Sequence, residues 1–173
     1  MITVISGTNR TDNNTLKVSK LYVKELEQQG CEVELLNLQD LKDDFFTESM
    51  YGKPSESFAQ VLNTKIIPSD KFVIVVPEYN GSYPGILKLV LDTIHPEMWE
   101  GSKAALLGIA SGRAGNLRGV DHLTAVMHYL KTEVYSLKPV LSSIHLHLNE
   151  NGDLTNEEYV GLIRAQIQGF LKF

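Results

Sequence analysis

Residues 71–85 read Lys71-Phe72-Val73-Ile74-Val75-Val76-Pro77-Glu78-Tyr79-Asn80-Gly81-Ser82-Tyr83-Pro84-Gly85. The run Phe72–Val76 is apolar and largely β-branched, with no polar alternation. Such a run suits a strand covered on both faces, as strands of parallel sheets are. It ends at a proline and passes through an Asn-Gly turn. The chain then restarts at Pro84-Gly85 ahead of Leu87, Val90 and Leu91, which are spaced as on one side of a helix. A buried strand leading through a Gly/Pro-rich loop into a helix is half of a β-α-β unit.

Working outward, four further segments read as strands: Ile2–Ser6, Glu32–Asn37, Ala104–Ala110 and part of Val140–Leu148. Helical patterns lie between and after them. In Thr15–Gln29, Val18, Tyr22 and Leu26 recur every four positions, and Gly30 supplies a stop. Ser55–Asn63, Gly85–Thr93, Gly115–Glu133 and Thr155–Leu171 supply the others, the last with Thr155 and Glu158 spaced as a capping box. Lys42–Pro54 reads as a long loop. The alternation predicts an α/β three-layer sandwich: a five-stranded parallel sheet in the order 2-1-3-4-5 with helices on both faces and right-handed crossovers. No repeat or linker interrupts the chain, so residues 1–173 are expected to form a single domain.

Composition narrows the function. The net charge of −5 argues against a broad basic face for nucleic acid. No apolar run approaches the roughly 20 residues of a membrane span. The lone cysteine, Cys31, excludes an internal disulfide and a cysteine metal cluster. Met1 leads straight into the first strand without a basic, cleavable leader, so a cytoplasmic protein with no membrane or nucleic-acid partner is expected.

In a 2-1-3-4-5 sheet, strands 1, 3 and 4 are neighbours, and ligands bind beyond their carboxyl ends. The loops there should converge. The first, Ser6–Thr15, crowds Thr8, Arg10, Asn13, Asn14 and Thr15 around a helix start, where free N–H groups and the helix dipole favour an anion such as a phosphate. It matches neither a P-loop nor a G-x-G-x-x-G, and suits one phosphate monoester. The second, Pro77–Gly85, offers the flat faces of Tyr79 and Tyr83 and the hydrogen bonds of Asn80 and backbone amides on a stiffened turn, a wall for a planar heteroaromatic ring with polar edges. The third, Ser111-Gly112-Arg113-Ala114-Gly115-Asn116, combines small residues with one cation. Each loop alone has a plainer reading as a cap, a turn or a helix start. Together they could enclose one mononucleotide.

Gly7-Thr8-Asn9-Arg10, Asn13-Asn14-Thr15, Pro77-Glu78-Tyr79-Asn80-Gly81-Ser82-Tyr83-Pro84-Gly85-Ile86-Leu87-Lys88 with Asp92, and Ser111-Gly112-Arg113 with Gly115 resemble the NAD(P)H-dependent FMN reductase family. That family is flavodoxin-like and includes quinone, azo-dye and chromate reductases. The resemblance implies FMN as cofactor and NAD(P)H as co-substrate. It assigns the phosphate to Thr8, Arg10, Asn13, Asn14 and Thr15, and the flavin ring to Pro77, Glu78, Tyr79 and Asn80, with Ser111, Gly112 and Arg113 along another edge. It also implies ping-pong transfer to a small-molecule acceptor such as a quinone, azo compound, metal oxyanion or free flavin. A homodimer or homotetramer built on the third and fourth helices is implied as well. Thr8 and Asn13 replace a serine common in relatives, Leu89-Val90 replaces Asn-Ala, and one glycine of the third loop is missing. No catalytic side chain is required, because the cofactor carries the chemistry.

The competing reading is a flavodoxin-type electron carrier without its own substrate turnover. A hydrolase is disfavoured because Ser6, Ser82 and Ser111 sit in no G-x-S-x-G elbow. His145 and His147 would alternate on a strand face, but with no third ligand nearby no metal site is expected.

Overall fold

A computed structural model describes residues 1–49 and 53–173. Met50, Tyr51 and Gly52, part of the expected 42–54 loop, lie outside the described residues. Among the described residues, six strands form one parallel sheet: β1 (Ile2–Ser6), β2 (Val33–Asn37), β3 (Lys71–Pro77), β4 (Lys103–Ile109), β5 (Glu133–Val134) and β6 (Val140–Leu141). The order is β2-β1-β3-β4-β5, with β6 also paired to β4, which is the flavodoxin-like arrangement expected.

Six α-helices among the described residues flank the sheet: α1 (Asn14–Gln28), α2 (Asp43–Glu48), α3 (Glu56–Val61), α4 (Gly85–Thr93), α5 (Leu117–Tyr129) and α6 (Glu157–Lys172). The pleat divides the core in two. Ile5, Phe72, Ile74, Val76 and Leu106 face the α4/α5 side, where Leu87, Val90, Leu123 and Met127 meet them. Val4, Val73, Val75, Ala105 and Leu107 face the other side, against Val18, Tyr22 and Leu26 of α1 and Ile163, Ile167 and Phe170 of α6. Strand β3 alternates between two covered faces, which is why its sequence carries no polar period.

Four expectations are corrected. The fifth strand expected within Val140–Leu148 is only the dipeptide β6; a second dipeptide, β5, lies outside that stretch, and the two pair with opposite ends of β4. The residues after β6 turn in a 3-10 helix at Ile144–Leu146, so His145 and His147 do not alternate on a strand. Gln166 of α6 fills the interval between the pieces: its Nε2 donates to the carbonyls of Leu106 at 2.9 Å and Leu137 at 2.8 Å. Its Oε1 accepts from the buried Tyr22 hydroxyl at 2.5 Å. Burial pushes that phenol well above its ordinary pKa, so it stays a donor.

At the start of α6 the cap is Asn156, accepting from the Tyr159 N–H at 3.1 Å. Thr155 instead donates its hydroxyl to the His147 carbonyl at 3.1 Å, which breaks the expected capping box. Within the expected 42–54 loop, residues 43–48 form helix α2.

The amino ends of the strands are closed off. Lys71 Nζ donates to the carbonyls of Phe170 at 3.0 Å and Leu171 at 3.2 Å, and Lys103 Nζ donates to the Phe173 carbonyl. The two ammonium groups also lie 5.3 and 5.0 Å from the ring centres of Phe170 and Phe173. The chain end is thereby tied across β3 and β4.

Candidate cofactor site

The opposite rim is built differently. After β1, Gly7 passes so close to β3 that a Cβ there would meet the Val75 carbonyl at 2.8 Å, and only glycine fits. The chain then turns into α1. Asn13 caps the helix, its Oδ1 accepting from Leu16 N–H at 2.7 Å, while its Nδ2 holds the Arg10 carbonyl at 2.6 Å. The side chain therefore fixes both the helix start and the loop before it. Among the described residues, the backbone N–H groups of Thr11 and Asp12 donate to no protein acceptor. Those of Asn14 and Thr15 open α1 and have no partner within the helix. The Arg10 guanidinium is exposed and makes no ion pair among the described residues. Unpaired donors and a free cation thus gather at one helix start.

The second loop is anchored to the first. Thr8 is fully buried and its hydroxyl lies 2.7 Å from the Tyr79 hydroxyl. Tyr79 and Ser82 exchange backbone hydrogen bonds at 2.9 and 3.1 Å, closing a tight turn with Asn80 at φ 52 and Gly81 at φ 78. Positive φ at both central positions is the reason for Asn-Gly here. From outside, Ser82 Oγ meets His122 Nδ1 at 2.9 Å.

The third loop leaves β4 at Ala110. Asn116 is buried in a left-handed conformation and donates Nδ2 to the Val76 carbonyl at 3.0 Å, which ties this loop to the end of β3. Gly115, at φ 56, packs so tightly on β6 that a Cβ would stand 2.8 Å from Val140 Cβ.

The three loops surround an open pocket of about 440 Å³. Of the residues read from sequence, Arg10, Asn13, Asn14, Thr15, Pro77, Glu78, Tyr79 and Ser111 line it. Thr8 lies behind it, bonded to Tyr79. Asn80 stands at the tip of its turn, while Gly112 and Arg113 continue the rim beyond Ser111; all three are exposed and do not line the pocket.

Sequence reasoning missed Thr11, Asp12, Ile109, Ala110 and Ile144. Ile144 arrives through the turn after β6, where Ser143 adopts a positive φ of 48 and its N–H donates to the Gly112 carbonyl at 3.1 Å. No periodicity announces that turn. Ala110 and Ile109 were legible as the strand end, but not as pocket wall.

A family model described as NADPH-dependent FMN reductase matches residues 1–145. An NAD(P)H-dependent FMN reductase of Pseudomonas aeruginosa is 29% identical over 145 residues, covering 80% of this chain and 76% of that protein. A 2-hydroxy-1,4-benzoquinone reductase of a Burkholderia species is 29% identical over 127 residues, covering 70% of this chain and 67% of that one. Among solved structures, a flavoenzyme NAD(P)H:(acceptor) oxidoreductase from Paracoccus denitrificans superposes with a TM-score of 0.77 at 25% identity, over 99% of this chain and 94% of its own.

Proposed function

The chain belongs to the NADPH-dependent FMN reductase family, an oxidoreductase family with FMN as cofactor and NAD(P)H as co-substrate, and we propose that it seats FMN in the rim pocket and passes electrons to a small-molecule acceptor. The observation that carries this is the convergence of unpaired N–H donors, one free arginine and a ring-sized wall around a single pocket. When bound, FMN would supply the redox chemistry that links the nicotinamide to the acceptor.

The protein's own part is to hold and orient. The N–H groups of Thr11, Asp12, Asn14 and Thr15 and the Arg10 guanidinium receive the phosphate, and Asn13 shapes their loop. Thr8 sets Tyr79 through their hydroxyl contact. Pro77, Glu78 and Tyr79 would flank the ring and Ser111 would bound its other edge, with Asn80, Gly112 and Arg113 on the rim outside the pocket. Because the pocket is open to solvent, nicotinamide and acceptor would reach it in turn, in ping-pong order. Quinones, azo compounds, metal oxyanions and free flavin are the acceptor class.

Residues 1–173 act in this reading as one cytoplasmic domain. No helix among the described residues is long and apolar enough to cross a membrane. A homodimer or homotetramer would form on α4 and α5, where Tyr129 is 87% exposed and a groove of about 380 Å³ runs between the helices. The deciding experiment is the visible spectrum of purified protein, with the pigment identified after heat release, followed by NADPH oxidation with a quinone. Protein that stays colourless after incubation with excess FMN and gel filtration would overturn the reading. Protein that holds FMN without turnover would make it an electron carrier instead.

A further inference from the structure

We propose that the groove along α1, beside the rim pocket, binds an adenosine phosphate: the distal half of a dinucleotide whose flavin or nicotinamide end lies at the rim pocket. The inference rests on the FMN reading above and extends it to a second subsite.

The groove has a volume of about 700 Å³, within the range of small-molecule sites. It adjoins the rim pocket, because Asp12 and Asn13 line both. One wall is a flank of α1, where Lys17, Lys20 and Lys24 recur at three- and four-residue intervals and so share a side of the helix. Lys17 stands at the junction: its Nζ lies 3.4 Å from Asn14 Oδ1 and 3.7 Å from the Asp12 carboxylate. Lys20 and Lys24 make no hydrogen bond or ion pair among the described residues. Lys20 therefore faces the groove with no anion committed to it, while the charge of Lys24 also acts on the neighbouring Glu25 carboxylate.

The far wall is a rigid turn. Asn149 holds it through its backbone N–H to the Asp153 carbonyl at 3.0 Å and through Oδ1, which accepts from the Asp153 N–H at 2.8 Å. Gly152, at φ 84, leaves the space that Lys17 occupies, since a Cβ there would stand 3.1 Å from the lysine Cδ. The lining is not uniformly basic. Arg164 is engaged by Glu25 through two 2.9 Å hydrogen bonds, which removes both from the account. Glu157, Asp153 and Gln39 remain as acceptors, and Leu21, Leu154 and Val160 supply apolar surface.

This mixture fits one chemistry. Phosphate oxygens need the lysines, the adenine amino group and ribose hydroxyls need acceptors, and the purine face needs apolar contact. A bare anion would use only the first feature. Two molecules carry the required half: NADPH presents an adenosine with a 2′-phosphate, and FAD presents one with a 5′-phosphate.

Calorimetric titration of FMN-loaded protein with 2′,5′-ADP and with 5′-AMP tests this, because FMN keeps the probes out of the rim pocket. The comparison is between wild type, the double variant Lys20→Gln/Lys24→Gln and a control, Lys53→Gln/Lys172→Gln, whose positions do not line the groove. The expected result is saturable binding of 2′,5′-ADP, weakened about tenfold in the groove variant and unchanged in the control. The KM for NADPH then rises while kcat and the KM for NADH hold. If 5′-AMP binds as tightly and the variant instead loses affinity for FAD over FMN, the subsite stands with FAD as its source. Absence of saturable binding to wild type, or equal losses in both double variants, would overturn it. Flavin retention is read separately from absorbance. Failure to hold FMN would defeat the function above, whereas a flavin-loaded, active protein indifferent to the groove lysines would defeat this inference alone.

Discussion

The two ends of the sheet use similar residues to opposite purposes. At the amino end, Lys71 and Lys103 are bonded to the last carbonyls of α6 and lie against Phe170 and Phe173. At the carboxyl end, Arg10 has no ion pair among the described residues and the N–H groups of Thr11 and Asp12 have no protein acceptor. Polar groups that are satisfied internally support the fold, and polar groups left open are available to a ligand. The contrast separates a structural end from a candidate ligand-binding one on hydrogen-bond accounting alone.

The strongest attack on this contrast falls at the structural end. Phe72 is fully buried and packs on Trp99 with ring centres 4.8 Å apart. Phe72→Ala should destabilise the protein by about 3–5 kcal/mol in urea unfolding. The rim pocket should keep its FMN affinity in whatever fraction remains folded. A parallel loss of affinity in that folded fraction would show that the two ends are not separable.

At the functional end, Arg10→Ala should weaken FMN binding about tenfold while leaving riboflavin binding and the urea midpoint unchanged. Fluorescence titration with both flavins measures it, and equal losses would remove the phosphate from Arg10. Tyr79→Phe deletes the hydroxyl contact between the first two loops and should cost about 1 kcal/mol, read mainly as a several-fold weaker FMN affinity.

The smallest effect should come from a pair that belongs to neither end. Arg164, by hydrogen bond and charge, holds the Glu25 carboxyl below its ordinary pKa against the opposing effect of burial. A lowered folded-state value stabilises the protein above the unfolded pKa, and the contribution is lost as pH falls through the folded value. Glu25→Gln should therefore be less stable than wild type near neutrality and converge with it in acid, as followed by thermal melts across pH. A difference that persists unchanged into acid would mean packing rather than charge is responsible.

Legibility from sequence followed the same division. The central strands declare themselves because two covered faces demand unbroken apolar runs, as in Phe72–Val76, and the 2-1-3-4-5 order follows from the alternation of elements. The edge did not. Strands of two residues, such as β5 and β6, carry no period, and the 140–148 stretch is apolar enough to pass for one strand. Thr155 and Asn156 are both competent caps, and only the tertiary demand of the His147 carbonyl decides between them. In the pocket, Asn13 and Tyr79 were legible because their chemistry is local. Ile144 was not, since its place depends on a left-handed Ser143.

The divided outer edge of β4 has one more consequence. An uninterrupted border strand offers a row of unmet amides and carbonyls on which another chain can polymerise. Here the border is two dipeptides with a glutamine side chain between them, so an incoming strand finds no continuous template. Protection against aggregation is thus supplied by a helix reaching across the sheet.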